Sequence, residues 1–411
     1  MGEKVYIIDA TNRDGAQTSR MPAPKLAKTM LNLYLDGMGI RQSEIGFPVL
    51  KHEVNYINAN LELADRGTIR RLRLSGWLRA TPEDIGLAVA NCPGLRHLNI
   101  SLPVSRNMVR AKFRGAKTFK NIIELLVSSV SEAKARGINT VGIGAEDASR
   151  TEFDRLVEFA LAGKEAGADR FRYSDTVGIE EPLSMYQKMK DLAREINMPI
   201  ELHCHNDLGM AVAVSVSGAR GALDGGVDAY INTVINGYGE RSGNCDLVSA
   251  LLAMLHSPAL KNNLALDPVT DLTKAWELAS YASYAFNMPI PANQPGVGAN
   301  VFAHESGIHV DGILKDAGSY ELYRPEDVGR GAALSVETGR VITTGAYGGL
   351  KGFRHVCAKL GIQFGGDEDA RRALGLIQYA NLHTQKPLTD DEIRFVSEYP
   401  DIAAKIMTVS P

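Results

Sequence analysis

A chain of 411 residues can bury a large core and has room for more than one domain. With 45% hydrophobic and 23% charged residues and a net charge of −3, it lacks the basic excess of a nucleic-acid binder and the long apolar run of a membrane span. Met1-Gly2-Glu3-Lys4 leads straight into an apolar strand, so no signal peptide is expected; Cys92, Cys204, Cys245 and Cys357 have neither disulfide nor metal spacing and read as reduced thiols of a cytoplasmic protein.

The first predicted strand is Val5–Ala10, ending in the polar turn Thr11–Gln17. Pro22 and Pro24 open a helix carrying Leu26, Met30, Leu33 and Met38 near helical spacing. A second strand and turn cover Ile40–Pro48, and a helix runs through Val54 to Leu63. Arg71–Trp77 is the third strand, followed by the helix start signal Thr81-Pro82-Glu83-Asp84. Arg96–Ser101 is the fourth, leading into a basic loop and a long helix from about Thr118 to Arg136. Strands five to eight are Thr140–Ala145, Arg170–Ser174, Pro199–His205 and Ala229–Val234. The helical patterns between them close on glycine at Gly137, Gly167 and Gly225-Gly226. Eight short strands alternating with helices over about 250 residues predict a (β/α)8 barrel of the TIM type. An open doubly wound sheet is disfavoured, because no Gly-rich nucleotide turn follows the first strand.

After about His256 the strand rhythm stops, and a mainly helical C-terminal region is expected. Leu272–Asn287 is helical in pattern, Pro289-Ile290-Pro291 is a linker, and Gly296–Asn300 begins a new module. The expected division is a catalytic barrel over 1–257, a linker and helical subdomain over 258–330, and a small helical region over 331–411.

Active sites of such barrels lie where the strands end. The strand ends carry Arg13 and Asp14, Glu44, Glu146 and Asp147, Ser174, Asp175 and Thr176, His203 and His205, then Glu240, Arg241 and Asn244. Any one of these alone reads equally as a polar loop residue capping a helix. His203 and His205 are two apart, so on a strand both imidazoles face the same way, roughly 7 Å apart along the chain. Two histidines and one aspartate supply three ligands to a divalent cation and leave positions open for substrate or water, and Asn244 could add a neutral oxygen.

The segments Asp9-x-Thr11-x-Arg13-Asp14-Gly15-x-Gln17, Glu44-Ile45-Gly46-Phe47-Pro48, Glu146-Asp147-Ala148-x-Arg150, Asp175-Thr176-Val177-Gly178, His203–Gly209 and Gly239-Glu240-Arg241-x-Gly243-Asn244 resemble, in order, the signatures of the DRE-TIM metallolyase superfamily. Asn300–Gly312 resembles a segment of its Claisen-condensing branch, the homocitrate, 2-isopropylmalate, citramalate and Re-type citrate synthases. The resemblance implies that Asp14, His203 and His205 hold a divalent metal (Mg, Mn, Co or Zn) with Asn244 beside it. It implies that Arg13 stabilises the developing oxyanion, that Thr176 holds the 1-carboxylate, that Gln17 contacts substrate, and that Glu44 orders Arg13 or a metal-bound water. Acetyl-CoA is the implied co-substrate, and its weakly acidic methyl needs a positioned base. Glu146 and His309 are the implied pair for that step, with Tyr320 assisting. His309 implies a homodimer whose active site crosses between subunits, whereas His304 reads equally as a packing residue.

The 2-oxo acid is harder to assign. Homocitrate synthases carry Arg four residues and Ser two residues before the strand-five Glu, where this chain has Gly142 and Gly144. Arg20, Arg106, Arg110 and Arg172 are the candidates left to meet a distal carboxylate. Position 12 is Asn where Leu is common, and Thr344–Gly349 stands where Gly-basic-His-Ser-Gly is expected. The runs Thr11–Arg20, Gln42-Ser43-Glu44 and His52–Tyr56 most resemble the Re-type citrate synthases, which favours oxaloacetate over 2-oxoglutarate. The 2-isopropylmalate and citramalate synthases are further alternatives, and the chain is short for a leucine effector domain. A metal-dependent lyase or aldolase, and a silent metal-binding homologue, are the competing classes. No nucleic acid or membrane partner is expected.

Overall fold

Eight parallel strands close on themselves in chain order in the computed structural model: β1 Val5–Asp9, β2 Gln42–Gly46, β3 Arg73–Arg79, β4 His97–Pro103, β5 Thr140–Glu146, β6 Arg170–Asp175, β7 Ile200–Cys204 and β8 Ala229–Thr233. The structure describes residues 3–261, 264, 266–267, 269–303, 312, 315–331, 344–346 and 348–407. The ring closes where Val5 to Asp9 of β1 pair in register with Ala229 to Thr233 of β8. This is the predicted (β/α)8 barrel, followed by a helical C-terminal region.

Outside the ring lie α1 Lys25–Gly37, α2 Lys51–Asp65, α3 Pro82–Asn91, α4 Arg106–Phe113, α5 Phe119–Ala135, α6 Phe153–Glu165, α7 Pro182–Ile196 and α8 Ala211–Asp224. The start signal at Thr81 is realised as an N-cap: its side chain accepts from Asp84 N, with Pro82 opening the helix. The basic stretch after β4, expected as a loop, is instead α4. Ser105 caps it by accepting from Met108 N at 3.1 Å, and its unbranched Arg and Lys side chains favour helix. Strand β3 runs two residues further than expected, because Trp77, Leu78 and Arg79 find partners in Asn99, Ile100 and Ser101 of β4.

The two faces of the strands differ in kind. Outward residues build the apolar layer under the helices, as where Phe171 of β6 meets Phe159 of α6 edge-on at 6.4 Å. Inward residues are unusually polar for a barrel, whose interior is ordinarily filled by branched aliphatics. Glu44, Asn99, Arg170, Arg172, Glu201 and Asn232 are all buried and bonded to one another across the lumen. Below them Tyr6 and Tyr230 stack at 4.9 Å, with Arg170 over the Tyr230 ring.

The helix Pro400–Met407 returns to pack on α1 and α2, and the helix Asp390–Glu398 packs beside it. Tyr34 donates to Asp391 and Tyr281 to Glu392, each at 2.5 Å, and Lys405 reaches Glu62. No helix among the described residues is long and apolar enough to cross a membrane, and all four cysteines are buried and unpaired.

Candidate active site

Asp14 stands in the turn that follows β1, His203 on β7, and His205 just past the end of β7, where it bridges Asn244. Two strand ends, those of β1 and β7, thus meet at one mouth of the barrel. Asp14 Oδ2 lies 3.4 Å from His203 Nε2 and 3.8 Å from His205 Nε2, and all three groups are buried. Both separations exceed a normal hydrogen bond. Burial and the neighbouring positive charges set the charge states. Burial depresses His203, although Asp14 opposes it, and burial with His203 beside it brings His205 down to about 4. Burial pushes the Asp14 carboxyl up, but Arg13, His203 and His205 outweigh that and hold it at about 2. At neutral pH the cluster is one carboxylate and two uncharged imidazoles, the donor set a divalent cation takes.

The tautomer of His203 follows from its neighbours. Glu201 can only accept, so Asn232 Nδ2 donates to Glu201 Oε1 (2.9 Å) and Asn232 Oδ1 is left facing His203 Nδ1 (3.0 Å). Nδ1 therefore carries the proton, and the Nε2 lone pair points at Asp14. Asn244 stands beside the triad, bonded to its carboxylate. Its Nδ2 donates to Asp14 Oδ2 (2.9 Å), while its Oδ1 is buried without a partner over Gly239, where a Cβ would collide with it.

Arg13 is held from both sides. Its Nη1 donates to Asp14 Oδ1 (2.7 Å), and its Nε and Nη2 donate to Glu44 Oε2 (2.9 and 2.7 Å). Glu44 also binds Arg172, and Arg172 binds Glu201 at 2.7 Å. Asp14, Arg13, Glu44, Arg172, Glu201, Asn232 and His203 thereby form a closed ring of polar contacts around the lumen. Burial opposes ionisation of Glu44, but Arg172 and Arg13 hold its carboxyl well below the usual range. Glu44 is bonded to Arg13 and does not itself reach the cavity wall.

A cavity of about 550 Å³ opens above this ring, walled by Arg13, Asp14, His203 and His205 on one side and by Trp77, Phe113 and Glu146 on the other. Gln17 is exposed at its rim. Glu146, at the end of β5, is paired with Lys112 of α4 at 2.6 Å. Thr176 Oγ1 accepts from Asp147 N (2.8 Å), which leaves its hydroxyl proton to donate into the cavity it lines. Arg241 ties the loops after β6 and β7 together through Thr176 O (2.6 Å) and Asp207 (2.9 Å). Tyr320 ends the short 3-10 turn Ala317–Ser319, 42% exposed, and is not part of the wall. His304 and His309 lie outside the described residues.

Lys112, Asn99, Glu201 and Asn232 belong to the site and were not singled out from sequence. Their signal is nonetheless present. In Arg170-Phe171-Arg172-Tyr173-Ser174, charged and aromatic residues alternate, and on a barrel strand the face opposite the helix-packed aromatics is the lumen.

Metal affinity should be level from about pH 8 down to about pH 5.5 and fall as acid protonates His205 near 4, with His203 also held below its ordinary value by burial. The sign is set by competition: a protonated ring cannot ligate, and burial holds both rings below an ordinary histidine, so protonation comes only in more acid solution. Titration against a chromophoric chelator across that range checks it, and a decline beginning at about 6.5 would show that the rings behave as exposed histidines.

The family profile described as HMGL-like matches residues 4–281, and that described as homocitrate synthase post-HMGL domain-like matches 297–379. The citrate (Re)-synthase of Dehalococcoides mccartyi is 52% identical over 99% of both chains. Homocitrate synthase 1 of a Nostoc species is 32% identical, covering 95% of this chain and 96% of that one. Among solved structures, the HMG-CoA lyase of Bacillus subtilis shares the fold at 18% identity with a TM-score of 0.57, covering 71% of this chain and 97% of that one. The chain belongs to the HMGL-like family, and within it is an acyltransferase of the citrate, homocitrate and 2-isopropylmalate synthase group.

Proposed function

We propose that this chain condenses acetyl-CoA with oxaloacetate to give citrate and free CoA. The observation that carries the reading is the 52% identity to a citrate (Re)-synthase across the whole chain, against 32% to a homocitrate synthase and to a 2-isopropylmalate synthase. Charge supports a dicarboxylate. Inside the barrel three arginines (Arg13, Arg170, Arg172) meet three carboxylates (Asp14, Glu44, Glu201) and cancel. A divalent cation adds two positive charges, which a dianionic 2-oxo acid balances and a monoanion does not.

Asp14, His203 and His205 would hold a divalent cation, which when bound would supply Lewis-acid polarisation of the 2-oxo carbonyl. The rest falls to side chains. Arg13, fixed by Glu44, presents its guanidinium where the carbonyl oxygen gains charge. Thr176 donates its hydroxyl proton to the 1-carboxylate, and Gln17 contacts the substrate from the rim. Glu146 takes a proton from the acetyl methyl, with His309 and Tyr320 of a second subunit assisting. Lys112 bonds both carboxylate oxygens of Glu146 and so positions it at the cavity wall. The methyl carbon then bonds to C2 of oxaloacetate, the carbonyl oxygen takes up a proton, and water cleaves the thioester to release CoA.

Thiol release from acetyl-CoA, measured with a divalent metal and a panel of 2-oxo acids, tests this. Release with oxaloacetate and formation of citrate are expected. Release with 2-oxoglutarate but not oxaloacetate would overturn the substrate, and none with any 2-oxo acid would overturn the condensation.

A further inference from the structure

We propose that Arg172 of β6 and Ser101 of β4, on either side of Gly144, form the subsite that receives the distal carboxylate of the 2-oxo acid and so limit its length. This rests on the proposed condensation. Strand register puts the three residues at one level: Ser101 pairs with Gly144, and Gly144 pairs with Arg172. On β6 and β7, Arg172 pairs with Glu201 and Ser174 with His203, so this level lies one inward step below the metal ligands. That step is about 6.6 Å along a strand, a span that a short dicarboxylate and an Arg side chain cover between them.

The glycines make the subsite possible. A side chain at 144 would begin 3.1 Å from Ser101 Oγ and shut it off, and one at 142 would collide with Asn99 Oδ1. With both absent, Ser101 and Arg172 line the cavity floor. Arg172 spends only Nη2 on its two ion pairs, with Glu44 and Glu201. Its buried Nε has no partner, and Nη1 takes no hydrogen bond among the described residues. The guanidinium therefore keeps Nη1 as a donor for a carboxylate, yet cannot withdraw, because two buried carboxylates pin it. A pinned floor favours the shorter of two dicarboxylates. Of the four arginines that sequence left open, Arg172 alone lines the cavity; Arg106, for one, is spent on Glu152 at 2.6 Å at the surface.

The test compares the KM of oxaloacetate with the inhibition constant of pyruvate, which has the same keto acid end and no distal carboxylate. Arg172→Lys retains charge for Glu44 and Glu201 but loses the planar donors. It should raise the oxaloacetate KM about tenfold or more and leave the pyruvate constant within about twofold. Ser101→Ala should raise the same KM about threefold. Both constants moving together, or neither moving, overturns the proposal. If Arg172→Lys does not fold by circular dichroism, Ser101→Ala decides on the same pair of constants, and no change in it overturns the subsite. A wild-type enzyme that releases no CoA with oxaloacetate is a separate result, which defeats the substrate assignment before any variant is compared.

Discussion

Asp14→Ala and His203→Ala are each expected to yield protein without bound metal and with CoA release at least about a thousandfold below wild type. Each change removes one of three donors held within 4.8 Å of one another, and the loss is more than electrostatic. Without Asp14, Arg13 keeps its two bonds to Glu44 but loses the contact that ties its Nη1 to the metal-binding cluster. Without His203, Asn232 loses the ring it orients. Metal content after gel filtration and a thiol-release assay check both effects. Full activity after exhaustive chelation would show that the cluster serves another purpose. His309→Ala should keep its metal and lose turnover, since the role proposed for it is in the proton step. Mixed Asp14→Ala and His309→Ala chains should regain part of the activity if the site crosses between subunits, and failure to do so after subunit exchange would count against that arrangement.

Glu44→Ala should be the most destabilising single change in the barrel interior. The side chain is fully buried and is the shared partner of Arg13, Arg172 and Asn99. Replacing both sides of a buried ion pair with apolar groups can be harmless, but removing one partner strands the other charge at a cost of about 3–5 kcal/mol. Two guanidinium groups lose a partner here, although Arg172 keeps Glu201 and Arg13 keeps Asp14. The expected loss is therefore near the lower end, ~3 kcal/mol, with turnover down about a hundredfold because Arg13 is no longer aimed. Urea unfolding and kcat on the same preparation measure both. Unchanged stability with a changed KM alone would mean that the ring of contacts does not position Arg13.

The residue order alone predicts the barrel. Its eight strands are short segments, several alternating apolar with polar residues, separated by helices of regular period, and that rhythm is a local property which a chain displays without folding. It also placed the chemistry at the strand ends, and the His-x-His spacing put both imidazoles of β7 on one face because strand periodicity is two. What only the tertiary structure decided depends on which strand lies beside which, and at what level. That the basic segment after β4 is a helix delivering Lys112 to Glu146 needed the fold, since the partners are 34 residues apart. The orientation of Asn244, amide nitrogen toward Asp14, needed a neighbour 230 positions away. The ring from Asp14 through Glu44, Arg172 and Glu201 back to His203 needed the register of five strands at once. Hydrogen bonds and ion pairs act over about 3 Å, whereas sequence order fixes position only along one strand, so the residues that hold the metal ligands in place become visible only when the barrel closes.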